Sequence, residues 1–185
     1  MNPLFDLGYD ANDLTVKVSE LLVATADGSD ELIDNSVLEV LRLLRERMNM
    51  DVVFVSEFTD GQRVFRKVET TPENGVIAVN GSDPLEATWC QRVVDGRLPP
   101  FIPDASQHPV AAGLAAKLPF RIGTHMSAPI VLKNGEIYGT LCCFSMTPLN
   151  DPDPKDLKRL QYTAQLTAEK IERSRASRKA GRSPA

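Results

Sequence analysis

T-H-M-S-A-P-I-V-L-K-N-G-E-I-Y-G-T-L-C-C-F-S, residues 124–145, sets two apolar, β-prone runs on either side of Asn134-Gly135. Asn-Gly is a strong signal for a tight hairpin, because both central residues of a type I′ turn need φ > 0. A two-residue loop sets the register by placing Lys133 opposite Glu136; on one face Leu132 then opposes Ile137, Ile130 Gly139, Ala128 Leu141 and Met126 Cys143. That face is apolar throughout. The other face carries His125, Ser127, Pro129 and Val131 against Phe144, Cys142, Thr140 and Tyr138, and it is mixed. A hairpin with one dry and one semi-polar face calls for two different neighbours. Helices would cover the dry face. The mixed face would line a cavity, or would be ordinary core with Ser127 and Thr140 bonded to nearby backbone. A slip of one residue would exchange the two faces.

The chain has 185 residues, enough for one domain with a sizeable core and additional ends. Its formal net charge is −4, and the stretch after Glu172 holds Arg173, Arg175, Arg178, Lys179 and Arg182 without an acid, which leaves −9 on residues 1–172. An acidic body argues against nucleic acid as the main partner. Three cysteines without paired spacing fit a reducing, cytoplasmic setting better than a disulfide scaffold. Cys142 and Cys143 are adjacent, so a strand points them to opposite faces. The first residues carry no basic start with a long apolar core, and no apolar run approaches a membrane span.

Around the hairpin the chain reads as helices and short strands. Asp13 could cap a short helix with Leu14, Val18, Leu21 and Leu22 on one side. From about Asp30 to Met48, Ile33, Val37, Val40, Leu41, Leu44 and Met48 recur at three and four, an amphipathic helix with Glu39, Arg42, Arg45 and Glu46 on its wet side. Residues 51–58 and 64–69 read as two strands turning at Asp60-Gly61. Residues 76–79 fit a short strand or an extended link. Asp83-Pro84-Leu85-Glu86 reads as a helix start with Asp83 as cap, Pro84 at the first position and Glu86 closing a capping box. That helix carries Leu85, Trp89 and Val93 on one side, with Trp89 as a core anchor and Cys90 as a small buried residue, and stops near Asp95-Gly96. Phe101-Ile102-Pro103 suits an edge strand. A short Ala-rich helix spans Val110 to Lys117. Asp153 and Pro154 open a last helix whose Leu157, Leu160, Ala164, Thr167 and Ile171 form a coiled-coil-like seam. Hairpins plus helices gathered on one face make an α+β layered domain.

Three stretches carry a resemblance: D-P-L-E-A-T-W-C-Q-R-V-V-D-G-R-L-P at 83–99, F-I-P-D-A at 101–105, and S-A-P-I-V-L-K-N-G-E-I-Y-G-T-L-C-C-F at 127–144. Over roughly Asp30 to Ile171 the chain resembles a GAF domain, of the kind found beside histidine kinase, GGDEF and EAL domains. The resemblance implies an antiparallel sheet of five or six strands, with the terminal helices on one face and a short helix with loops closing a ligand pocket over the other. With the domain at 29–172, the chain keeps an N-terminal, partly helical arm at 1–28 and a basic end at 173–185 that reads as a disordered tail, a frayed helix terminus or a linker. Carried over position by position, the pocket falls on His125, Ser127, Thr140, Cys142 and Phe144, with Asp104 and His108 added from the loop before the short helix.

The expected function is that of a non-enzymatic sensory module for an unidentified small molecule, homodimeric through its terminal helices and acting on a signalling-protein partner, without nucleic acid or membrane. No cofactor is specified. The pocket-helix region D-A-S-Q-H-P-V-A-A-G-L lacks the cysteine through which bilin-binding members attach their chromophore, so covalent bilin is not expected. Two alternatives stay open: a thiol enzyme resembling free methionine sulfoxide reductase that uses Cys90 or Cys142, and a dimerisation module whose pocket is filled by side chains. No phosphate loop, Gly-x-Ser-x-Gly or Cys-x-x-Cys occurs, and His108 and His125 alone do not make a metal site.

Overall fold

A computed structural model describes residue 18 and residues 30–182, with the side chains of residues 30–34 left aside. The elements follow in the order α1 (Asp30–Arg47), β1 (Val52–Thr59), β2 (Gln62–Thr70), β3 (Ser82–Pro84), α2 (Trp89–Val94), β4 (Phe101–Ile102), α3 (Pro109–Ala115), β5 (His125–Val131), β6 (Ile137–Phe144) and α4 (Lys155–Gly181). The six strands form one antiparallel sheet in the order β3-β2-β1-β6-β5-β4. The long hairpin β5–β6 and strand β1 therefore make the centre, and the short strands β3 and β4 make the edges.

The dry face of the hairpin is covered by the two long helices, as its pattern requires. Met126, Ala128, Ile130, Leu132, Leu141 and Cys143 join Val53 and Val55 of β1 in one buried cluster with Val40, Leu41 and Leu44 of α1, Met48 just after it, and Leu160, Ala164 and Ala168 of α4. Burying such side chains stabilises the fold by about 1.5–3 kcal/mol each. Val18 belongs to the same cluster and is helical. The rest of the expected N-terminal arm, with Asp13, Leu14, Leu21 and Leu22, lies outside the described residues, as does the side chain of Ile33. Along α1, Arg45 departs from its expected wet position: its side chain is largely covered, with Nε 3.5 Å from Glu69 Oε1 on β2. A buried Lys170 on α4 donates to Ser36 Oγ of α1 at 2.7 Å, which ties the two helices directly. Helix α4 continues through Gly181 and so takes in most of the basic end.

The turn differs from the Asn-Gly expectation. Gly135 N–H donates to Leu132 O, Leu132 N–H donates to Glu136 O, and within this turn Gly135 alone has positive φ, at 85°. This is a three-residue loop, a type I turn closed by a left-handed glycine. Such a loop would shift the register by one, but a bulge at Tyr138 shifts it back. Val131 pairs with Ile137, and beyond the bulge Ile130 pairs with Gly139, Ala128 with Leu141 and Met126 with Cys143. The expected pairing holds for the body of the hairpin and fails at its tip. There Leu132 does not oppose Ile137. Tyr138 packs against the helix-side cluster, with the Arg175 guanidinium 5.5 Å from its ring centre, instead of joining the mixed face.

The 83–99 segment is also corrected. Ser82–Pro84 is an edge strand on β2, Leu85–Ala87 is a single 3-10 turn, and α2 begins only at Trp89. Thr88, not Asp83, caps it by accepting from Gln91 N–H at 3.2 Å. Asp83 is drawn away by an ion pair with Arg63 across the β2–β3 ladder. Residues 76–79 are a link, not a strand. The last helix begins at Lys155, one residue later than expected, with Pro154 in the cap position; Asp153 Oδ1 still accepts from Lys155 N–H at 2.9 Å. No helix among the described residues is long and apolar enough to cross a membrane.

Candidate functional site

The face opposite the long helices carries a cavity of about 490 Å³. Its floor is Phe54 of β1, Phe65 of β2, and Phe144 and His125 of the hairpin. Its walls are Trp89 and Cys90 of α2, Leu114 at the end of α3, and Leu118, Pro119 and Phe120 after it. Exposed Asp83, Pro84 and Lys117 stand at its rim. The volume lies within the ordinary range for small-molecule sites, which are mostly apolar with a few placed polar groups. Phe120 stacks on Phe144 with centroids 5.6 Å apart, and Phe54 meets Phe65 edge-on at 4.9 Å. Among its polar lining groups, Arg63, His125 and Cys90 are drawn in from three different elements.

Arg63 reaches this face because β2 bulges. Val68 pairs with Phe54, but beyond Lys67 the register shifts so that Phe65, not Arg66, pairs with Ser56. A bulge inserts one residue and re-aims those that follow. Without it, alternation from Val68 would point Arg66 and Val64 to the cavity and Phe65 and Arg63 away. The Arg63 guanidinium lies 4.0 Å from the Phe65 ring centre, pairs with Asp83, and donates through Nη1 to Cys90 Sγ at 3.7 Å. Its Nε is buried with no hydrogen-bond partner.

His125 is 2 % exposed, its ring 5.0 Å from that of Trp89, and its Nδ1 also lacks a partner. Burial lowers its pKa to about 4, so the imidazole is neutral at ordinary pH.

Beneath the cavity lies a buried chain of small polar groups. Ser127 Oγ is 3.0 Å from Cys142 Sγ, which is 3.1 Å from Thr140 Oγ1, itself 2.9 Å from Ser56 Oγ on β1. Cys142 Sγ also lies 3.6 Å from Cys90 Sγ. Thr140→Val is expected to cost about 1–2 kcal/mol by leaving buried Ser56 and Cys142 short of a partner, while Thr140→Ser keeps most of it. Urea unfolding midpoints of the two variants check this.

The residues named from sequence thus fall into three groups. His125 and Phe144 line the cavity. Ser127, Thr140 and Cys142 share its face but are sealed below the floor by their mutual hydrogen bonds. Asp104 and His108 stand apart from it as caps. Asp104 Oδ1 accepts from Ser106 N–H at 2.9 Å at a 3-10 turn, and His108 Nδ1 accepts from Ala111 N–H at 3.3 Å at the start of α3. Sequence reasoning missed Arg63, Phe54, Phe65 and Phe120, and gave Trp89 to the core, where it also belongs: it is 7 % exposed and packs on Val93, Leu98 and Ile102. Among the described residues no group of three or more His, Cys, Asp or Glu side chains is arranged to hold a metal ion.

A sheet sealed by two long helices on one face and hollowed on the other defines an α+β domain built around a two-sided hairpin. The chain belongs to the GAF domain family, whose model matches residues 33–171. Its fold is similar to that of the GAF domain from Acinetobacter phosphoenolpyruvate-protein phosphotransferase, with 13% identity and a TM-score of 0.69 over 90% of this chain and 97% of that one. It is also similar to free methionine-R-sulfoxide reductase from Neisseria meningitidis, solved in complex with its substrate, at 15% identity and TM-score 0.66 over 91% and 96% of the two chains. The chromophore-binding domain of a bacteriophytochrome from R. palustris aligns at 14% identity and TM-score 0.68, over 90% of this chain and 63% of that one. These likenesses show the fold alone. Among curated protein sequences none matches this chain. GAF domains commonly serve sensory and ligand-binding roles.

Proposed function

We propose that this chain is a non-enzymatic sensory module that binds a small molecule in the cavity between the sheet and α2, and signals through α1 and α4. The cavity carries the reading: about 490 Å³, walled by aromatic rings, with two buried nitrogens, Arg63 Nε and His125 Nδ1, lacking partners. An unsatisfied buried polar atom costs about 1–3 kcal/mol, which a ligand reaching it would recover. The ligand class that fits has a largely apolar or aromatic body and a polar group directed at Arg63 and His125. Strands β1, β5 and β6 lie between the cavity and the long helices, so a change at the floor reaches the packing of α1 and α4. A ligand shifts that packing only through its preference for one state. A homodimer through these helices would carry the shift to a partner protein.

Trp89 is the chain's single tryptophan and lines the cavity. Native mass spectrometry of protein purified from its own source is expected to show a retained small molecule. Its removal should change Trp89 emission, and Arg63→Met should abolish retention. A bare chain whose emission responds to no member of a panel of aromatic and carboxylated metabolites would remove the ligand reading and leave the dimerisation module.

A thiol enzyme is the second reading, and Cys90 on the cavity wall favours it. Assay with free methionine sulfoxide decides: turnover that disappears in Cys90→Ser or Cys142→Ser would replace the sensory reading.

A further inference from the structure

Cys90 and Cys142 come from opposite sides of the cavity floor, one from α2 and one from β6, yet their sulfurs are 3.6 Å apart. We propose that they form a reversible disulfide when a hydroperoxide enters the cavity, which makes α2 and the central sheet a thiol–disulfide couple. The two sulfurs differ in ways that assign their roles. Cys90 lines the cavity, and Arg63 Nη1 donates to its Sγ. Both are buried, but Cys142 is absent from the cavity lining and is held by Ser127 and Thr140. A small peroxide therefore meets Cys90 first.

A thiolate, not a thiol, attacks peroxide, and a neighbouring cation favours the thiolate. The hydrogen bond from Cys142 and the Arg63 charge both hold Cys90 below the ordinary thiol range, whereas burial pushes Cys142 up. The Cys90 thiolate attacks the near oxygen of ROOH. The O–O bond breaks, Cys90 becomes a sulfenic acid, and RO⁻ leaves, taking up a proton. The Cys142 sulfur then attacks the Cys90 sulfur. The S–S bond forms, the S–O bond breaks, and hydroxide leaves with the Cys142 proton as water. Two thiols lose two electrons and the peroxide gains them. Cys143, next in sequence, points to the helix-side cluster and takes no part.

This couple does not depend on the cavity holding a ligand. It is tested on the full chain, reduced and then exposed to hydrogen peroxide, with free thiols alkylated and peptides mapped by mass. A Cys90–Cys142 linkage that dithiothreitol reverses is expected, with Cys143 alkylated only after unfolding. In Cys142→Ser the same treatment should leave a Cys90 sulfenic acid that dimedone traps. Arg63→Met should slow oxidation roughly tenfold. Circular dichroism of each variant confirms folding, and the wild-type map stands even if a variant fails to fold. A linkage through Cys143, a link between two chains, or wild-type Cys90 ending as sulfinic acid without a linkage would overturn the proposal.

Discussion

Gly139→Ala is expected to destabilise the domain by roughly 3 kcal/mol or more, a large part of the usual 5–15 kcal/mol of total stability. Gly139 lies in β6 opposite Glu57 of β1, at the centre of the sheet. A Cβ added there would stand 1.9 Å from Ser56 O, 2.7 Å from Ser56 C and 2.9 Å from Glu57 Cα. All three obstacles are backbone, so no rotamer change relieves them, and β1 would have to move off β6. Gly113 is the control. It lies in α3 with nothing within 4 Å of its added Cβ, so Gly113→Ala should gain about 0.5–1 kcal/mol from helix propensity and reduced unfolded-state entropy. Urea titrations with matched slopes compare the two. A Gly139→Ala midpoint within experimental scatter of wild type would contradict the close approach of β1 and β6.

His125 should make stability fall between about pH 6.5 and pH 4. The imidazole is fully buried, and desolvation alone lowers its pKa from 6.5 to about 4. In that window the unfolded chain binds a proton at His125 and the folded chain does not. Unfolding is then favoured as pH drops, by up to about 3 kcal/mol at the lower end. Above pH 6.5 both states are neutral and below pH 4 both are charged, so the contribution is flat outside the window. Carboxylates also titrate there. The measurement is therefore the difference between the wild-type and His125→Gln stability–pH curves, which should slope only within the window. A flat difference, or an imidazole titrating near 6.5 in the folded protein by NMR, would show that the ring is hydrated.

Both effects sit on the hairpin from which the fold was legible. Alternation there separates two faces, and the core confirms it residue by residue from Met126 to Leu132 and at Leu141 and Cys143. Helix periodicity located α1 and α4 for the same reason: their buried stripes recur at fixed spacing. The site was less legible, because alternation counts residues and a bulge breaks the count. Arg66 is the extra residue in β2, and it carries Arg63 and Phe65 onto the cavity face. Nothing in V-F-R-K-V announces it. At 83–88 the capping-box pattern is a local preference, and the Arg63–Asp83 pair across the edge ladder overrides it. Ser127, Thr140 and Cys142 were placed on the correct face. Their satisfaction by one another, which seals them from the cavity, is a matter of distances that no pattern reports.

The two irregularities of the β5–β6 hairpin cancel. The three-residue turn advances the pairing by one residue and the Tyr138 bulge sets it back, so the tip runs out of phase with the body of the same hairpin. The tip is also fastened to α4, where Glu172 Oε1 accepts from Lys133 N–H at 2.8 Å and Arg175 lies over Tyr138. The bulge thus works as an insulator. A residue added or removed at Lys133–Gly135 would change how the tip grips the end of α4 and leave strand β6 from Gly139 to Phe144, which carries the floor residue Phe144, in its original alignment. Turn length and cavity shape can then vary independently on one continuous pair of strands.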